Sequence, residues 1–373
     1  MKKMFFMAAI AGVALASCAK NEVETPEQDI ITFAEPVTAV QTKATEIVGN
    51  YPTSENFSVF AHYYTGEDGY TTFANGKLYM NNVETKFSEA LNGWDSKAAG
   101  GVNYYWPKQG TLTFAAYSPS RADNVDMQVA YTENGIQFNN FKVKKNAAEQ
   151  YDLLFSERTY DQTKSSMTTA ADPYKGVQIK FNHALSSIVF KVKTNIDYTA
   201  DNFYITLRKI ELRNITEQGS FNQGLTDAKN AVTPAVTPNE NKGWTIANNA
   251  PATNYVAYEG SQSVDTELKL TNNIQNLYNT NLILLPQPLT ENKKLYIEYT
   301  ITNGNVSPWL EVAQTAEIAL TNYGEVTEWL RGNRYTYNIT IGLDKIYFDP
   351  TVDAWDNVDA GNVTIGNTAQ PAN

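Results

Sequence analysis

The side chain best placed to do chemistry is the thiol of Cys18, the only cysteine in the 373-residue chain. It ends Leu15-Ala16-Ser17-Cys18, behind an apolar run from Met4 to Val13 that Lys2 and Lys3 precede. A basic start, a short apolar run and small residues ahead of a cysteine read as a bacterial lipoprotein signal. Residues 1–17 would be removed and the Cys18 sulfur would carry the lipid. The apolar run is shorter than the roughly 20 residues of a membrane-spanning helix. Attachment to the outer membrane would then rest on acyl chains, each buried CH₂ contributing about 0.8 kcal/mol. With that thiol acylated no disulfide can form, so the fold must stand on apolar burial and strand pairing.

Other reactive groups are few. The two histidines, His62 and His183, both fall in strand-like segments, outside any nucleophile-elbow or His-Glu-x-x-His context. A catalytic histidine needs a nucleophile beside it, and a packed, hydrogen-bonded role suits His183 better. Asp123-Asn124-Val125-Asp126 lacks the glycine and distal glutamate of a calcium loop. No phosphate-binding or dinucleotide motif is present. No catalytic residue, metal or cofactor is therefore assigned. A hydrolase built on two carboxylates leaves no signature in sequence and stays open as a minor alternative. Tyr63-Tyr64, Tyr104-Tyr105-Trp106 and Trp309 could stack on sugars, or fill and cap a core.

The elements that must carry these groups read as strands. Tyr (23) outnumbers Phe (16), and Thr, Val and Asn are abundant, a composition of strands and turns. Removing residues 1–17 leaves 27 basic against 40 acidic side chains, a net charge of −13 that repels nucleic acid and anionic headgroups. Residues 18–28 form a polar, Pro-containing tether. Ile30-Ile31-Thr32-Phe33-Ala34-Glu35-Pro36 is the first strand, set by Pro36 at an edge or near an end. A polar linker around Val40–Thr45 follows. Period-two or apolar runs then mark strands at 57–63, 112–117, 135–138, 177–181, 187–192, 205–213, 282–285, 295–301, 335–341 and 345–348. The best helical candidate, 146–151, is one or two turns long. Residues 217–273, rich in Asn, Thr, Gly and Pro, read as long loops with one or two strands. Trp244, Tyr255 and Tyr258 are among their apolar anchors and are candidate ligand contacts.

These pieces, in order, resemble the fimbrillin superfamily of Bacteroidetes, lipoprotein precursors of type V pili. The matching residues are Tyr104-Tyr105-Trp106-Pro107 followed by Leu112–Pro119, then Phe181-Asn182-His183-Ala184-Leu185-Ser186-Ser187-Ile188-Val189-Phe190. Leu282-Ile283-Leu284-Leu285-Pro286-Gln287-Pro288 and Gly332-Asn333-Arg334-Tyr335-Thr336-Tyr337-Asn338-Ile339 come next, ending near Val352-Asp353-Ala354-Trp355. The resemblance implies an all-β chain of two tandem transthyretin-like (Ig-like) β-sandwich domains with little helix, 29–175 and 176–373. It also implies a structural, non-enzymatic pilus subunit contributing to adhesion, moved to the cell surface and cut by a processing protease behind its first strand. Thr42-Lys43-Ala44 matches that position, so the expected cut lies between Lys43 and Ala44. The strand lost would be 29–38, carrying Ile30, Ile31 and Phe33.

Such a loss would expose an apolar groove and unpaired backbone groups along a sheet edge. An extended segment of another subunit could fill it, pairing its backbone and seating alternate side chains. Repeated head to tail, with like or unlike subunits, the contact builds an open filament. The candidate donor is the tail 356–373, with Val358, Ala360, Val363 and Ile365. The alternative is a non-polymerising surface lipoprotein that binds glycan through its aromatic loops. The adhesion ligand, on host or bacterium, is not legible.

Overall fold

The structure, a computed structural model, describes residues 29–38, 51–66, 69–120, 127–167, 176–197, 203–225, 243–247, 249–260, 267–277, 281–303, 310–321, 326–343 and 346–354. Those residues form an all-β protein, as expected. The 146–151 candidate is a single 3₁₀ turn, Ala147–Glu149, capped by the Asn146 side chain. No helix among the described residues is long and apolar enough to cross a membrane.

Alternating side chains create the strands. In Ser186–Thr194, Ile188, Phe190 and Val192 point inward while Val189, Lys191 and Lys193 are half-buried. Lys294–Thr302 repeats the pattern with Leu295, Ile297 and Tyr299 inside. Such a period leaves one face dry and one wet, and two dry faces must meet.

One eight-stranded sheet runs in the order Val37–Thr38, Lys180–His183, Leu154–Ser156, Thr111–Ser118, Phe57–Tyr64, Lys77–Ser88 and Gly93–Asp95, with Thr159–Gln162 also on Thr111–Ser118. Its two faces serve different cores. Phe57, Val59, Ala61, Leu112, Phe114 and Ala116 join a core with Ile31, Phe33, Trp94, Val177, Ile179 and Phe181. Phe60, Ala115 and Tyr117 face the other way, with Ile136, Phe138 and Phe221 of a four-stranded sheet. That sheet is Trp244–Thr245, Gln218–Asn222, Gly135–Lys142 and Gln128–Thr132.

The remaining core lies between two five-stranded sheets. One orders Gln275–Asn276, Ser186–Thr194, Asn333–Ile341 and Ile346–Ala354, with Leu282–Leu284 also on Ser186–Thr194. The other orders Ala252–Glu259, Tyr204–Thr216, Lys294–Thr302 and Glu311–Ala319, with Leu268–Lys269 also on Tyr204–Thr216. Backbone pairing crosses position 175 in both senses. Lys180–His183 pairs with Leu154–Ser156, and Gln218–Asn222 pairs with Gly135–Lys142. The 217–273 stretch also holds more regular structure than a loop reading supplies, with strands at Gln218–Asn222, Trp244–Thr245, Ala252–Glu259 and Leu268–Lys269.

Candidate functional site

The first segment occupies a slot. Phe33 pairs antiparallel with Trp94 on one side and parallel with Val177 on the other. Its amide donates to the Trp94 carbonyl at 2.8 Å, and the Trp94 amide donates back at 2.9 Å. The Ile31 amide reaches the Tyr104 carbonyl and the Trp106 amide reaches the Asp29 carbonyl, both at 2.8 Å. Across the slot, Val177 donates to Thr32 at 2.8 Å, Ala34 to Val177 at 3.0 Å and Val37 to Ile179 at 3.1 Å. Pro36 fits this arrangement because it stands near the segment's end, where only its carbonyl is used, by Tyr51. Val37–Thr38, just behind Pro36, is the terminal strand of its sheet, while Phe33 itself is bridged on both flanks. Pairing partners sixty and more residues away are what sequence periodicity cannot supply.

Side chains seal the slot. Ile30, Ile31 and Phe33 are all buried, Phe33 to 1% exposure. The Phe33 ring meets Phe57 and Phe114 edge-on, with centroids 5.7 and 5.8 Å apart. Burial of these three side chains contributes on the order of 6 kcal/mol.

Two glycines admit the backbone. A Cβ on Gly93 would lie 2.9 Å from the Phe33 carbonyl oxygen. One on Gly176 would lie 2.5 Å from the Ala34 nitrogen and 2.7 Å from the Phe33 carbonyl carbon. Gly176 also has φ +108°, a region that side chains avoid. Neither glycine stood out in sequence. The signal was available: each directly precedes an apolar strand residue, Trp94 or Val177, where a glycine marks close backbone approach.

The strand bounding the slot is tied down from beneath. His183 Nδ1 lies 2.7 Å from Asp152 Oδ2, with both side chains buried. The His183 carbonyl accepts from Arg331 Nη1 at 3.3 Å, and the Arg331 guanidinium lies over the Phe155 ring. This sealed pair fixes Lys180–His183, matching the packed role read for His183. His62 is buried against Phe73 and Tyr131, and burial, with Arg158 nearby, holds its pKa below the ordinary value. Among the described residues, no group of three or more His, Cys, Asp or Glu side chains could hold a metal.

Trp244 and Tyr255 lie in the core. The Trp244 indole donates to the Ala184 carbonyl and packs against Phe141 and Phe221. Tyr255 is fully buried, with its phenol pKa raised by burial and then by Glu217. Their rings are used in packing; Tyr258 is half-buried on Ala252–Glu259. Cys18, Lys43, Ala44, residues 123–126, Trp309 and the tail 356–373 lie outside the described residues.

A family model described as fimbrillin-like matches residues 42–355. The chain belongs to the fimbrillin-like family. The match starts behind the slot segment and runs to the end of the Ile346–Ala354 strand. This fimbrillin-like chain is similar in structure to a fimbrial protein from Bacteroides vulgatus, with 18% identity and a TM-score of 0.62, covering 87% of this chain and 99% of that one. Candidate cell adhesion proteins from Bacteroides uniformis (17% identity, TM-score 0.48, 87% and 99% covered) and Bacteroides ovatus (18%, 0.46, 88% and 97%) align over comparable lengths. The likeness to the Bacteroides vulgatus protein bears on the fold, and it is the all-β fold described above. No curated protein matches the chain.

Proposed function

We propose that this fimbrillin-like chain is a structural subunit of a cell-surface pilus, carried to the surface on a lipid at Cys18 and armed by loss of its first strand. Membership of the family supports the pilus and adhesion role and a surface location. The observation that carries the arming step is the slot at Phe33. A segment hydrogen-bonded on both flanks, with its side chains at the centre of a core, leaves two unpaired edges and an apolar cavity when it goes. Both are strongly unfavourable in water. An extended segment from a neighbouring subunit would restore both, and head-to-tail repetition gives an open polymer. Cleavage between Lys43 and Ala44 would free residues 29–38 with their lipid. The role is mechanical rather than catalytic.

Mass spectrometry of the N-terminus of protein shaved from intact cells tests this reading. A mature form starting at Ala44, within oligomers that resist SDS, is the expected result. Surface protein that keeps acylated Cys18 throughout and stays monomeric would refute it.

A further inference from the structure

We infer that the open flank of Glu311–Ala319 is an interface for a second copy of this chain, the two strands pairing antiparallel about a two-fold axis at Thr315. The contact lies away from the slot and does not depend on strand replacement there.

All nine residues of Glu311–Ala319 pair with Lys294–Thr302 in one unbroken register. Among the described residues the strand's other flank is unpaired, which turns a row of backbone N–H and C=O groups outward. Sheets ordinarily guard such a row with lysine, proline, a bulge or short length. The other long open flanks here are guarded. Lys77–Ser88 and Ala252–Glu259 shift register against their neighbours, and Ile346–Ala354 contains Pro350, which has no amide hydrogen. The remaining sheet ends among the described residues are five residues or shorter. Glu311–Ala319 has no Lys, Pro or Gly and no bulge.

Its own side chains specify the partner. A two-fold axis through Thr315 keeps both faces of the sheet continuous. It sets Glu311 opposite Ala319, Val312 opposite Ile318, Ala313 opposite Glu317, Gln314 opposite Ala316, and Thr315 opposite itself. Val312, 37% exposed, gains the second copy's Ile318, which already packs on its own core. No glutamate directly faces another. Both carboxylates are also held within their own chain, Glu317 by Arg213 at 2.7 Å and Glu311 by Arg208 at 3.9 Å. Other registers are poorer. A two-residue shift one way sets Glu311 directly against Glu317, an unfavourable like-charge pair. The same shift the other way leaves Glu311 and Val312 with no strand residue opposite. A one-residue shift sets core-facing side chains against outward ones. The contact is isologous and closes at two copies, so the open edge binds one mate without building a fibre.

Cysteine placement tests the register. In residues 18–373 with Cys18→Ser, Thr315→Cys supplies the only thiol. On the axis it faces its own copy at a Cα separation of about 4.5–5.5 Å, within the reach of a disulfide. Mild oxidation should give a linked dimer. Ala313→Cys and Glu317→Cys should each stay unlinked alone and link to one another when mixed. Thr315→Lys, at an exposed position, sets two lysines face to face. It should leave the melting curve unchanged and move the monomer–dimer midpoint in sedimentation velocity at least tenfold to higher concentration. Sedimentation of the unsubstituted chain as a monomer up to its solubility limit would overturn the inference. Linking of Ala313→Cys to itself as readily as to Glu317→Cys would overturn it too. The chain stays uncut at Lys43 throughout, so exchange at the slot contributes nothing to the dimer, and failure here leaves the pilus reading standing.

Discussion

The core around Phe33 and the core around Tyr337 are built from the same kinds of apolar and aromatic side chains but closed differently. In the second, Asn333–Ile341 lies between Ser186–Thr194 and Ile346–Ala354, the latter its own neighbour in sequence. Tyr337 there stacks on Phe190 and accepts the Trp329 indole N–H at 3.0 Å. In the first, the central position belongs to a segment whose partners, Trp94 and Val177, lie far along the chain. A single cut between residues 38 and 51 separates that segment from everything it supports. Under the proposed cleavage, the apolar burial of the first core would become detachable, whereas Asn333–Ile341 is held by a strand that follows it directly in sequence.

Substitutions can break this contrast, beginning with the largest effect. Phe33→Ala should destabilise the first core by about 3–5 kcal/mol, the range for emptying a buried aromatic site. Hydrogen exchange should show the loss at 57–64 and 111–118 and spare 333–341. Uniform loss would mean that the cores do not act separately. Gly176→Ala should cost about 1–3 kcal/mol through strain at positive φ, and more where the Cβ meets Ala34. Its readout is faster proteolysis within residues 29–38 at unchanged protection of the second core.

Tyr337→Phe leaves the Trp329 indole without that acceptor and should cost about 1–3 kcal/mol, read as a lower urea midpoint. Here the second core should weaken while residues 29–38 stay protected. Alkali tests both cores together. Burial raises the phenol pKa of Tyr51 in the first and Tyr337 in the second, and moves Tyr131 up to about 12. A phenol with a raised folded-state pKa keeps its proton after the unfolded chain has lost it. Stability should thus be level below about pH 10, the ordinary phenol value, and fall as pH climbs above it. Tyr51→Phe should flatten the fall, as seen in denaturant midpoints from pH 9 to 11. Val37→Ser marks the small end: Val37 is 45% exposed, and a surface change of this kind should stay within about 0.5 kcal/mol.

Much of the fold is legible wherever alternation is clean, as in 187–192 and 295–301. Lys77–Ser88 escapes because Asn81 and Asn82 interrupt its pattern; Asn82 has φ 51°, where pairing with Phe57–Tyr64 shifts register. Glu311–Ala319 escapes for another reason. An exposed edge strand has one paired flank and little burial, so Ala, Glu and Gln suffice there despite their weak strand preference. At the site, the apolar character of Ile30, Ile31 and Phe33 can be read directly, but not that they would be clasped from two sides. That depends on Gly93 and Gly176 meeting across the same residue, a property of tertiary approach. Trp244 and Tyr255 show the converse limit, since an aromatic in a polar stretch looks the same whether it caps a core or faces solvent.

The indoles beside the slot give the molecule its own optical gauge. Trp94 exchanges hydrogen bonds with Phe33, and Trp106 donates its amide to Asp29; both rings are dry while the segment is seated. Trp244 and Trp329 are buried elsewhere and would not respond to its departure. Emission from intact protein should therefore shift to the red in step with departure of the strand, and return as a new occupant arrives. Assembly could then be timed in a cuvette without attaching any dye.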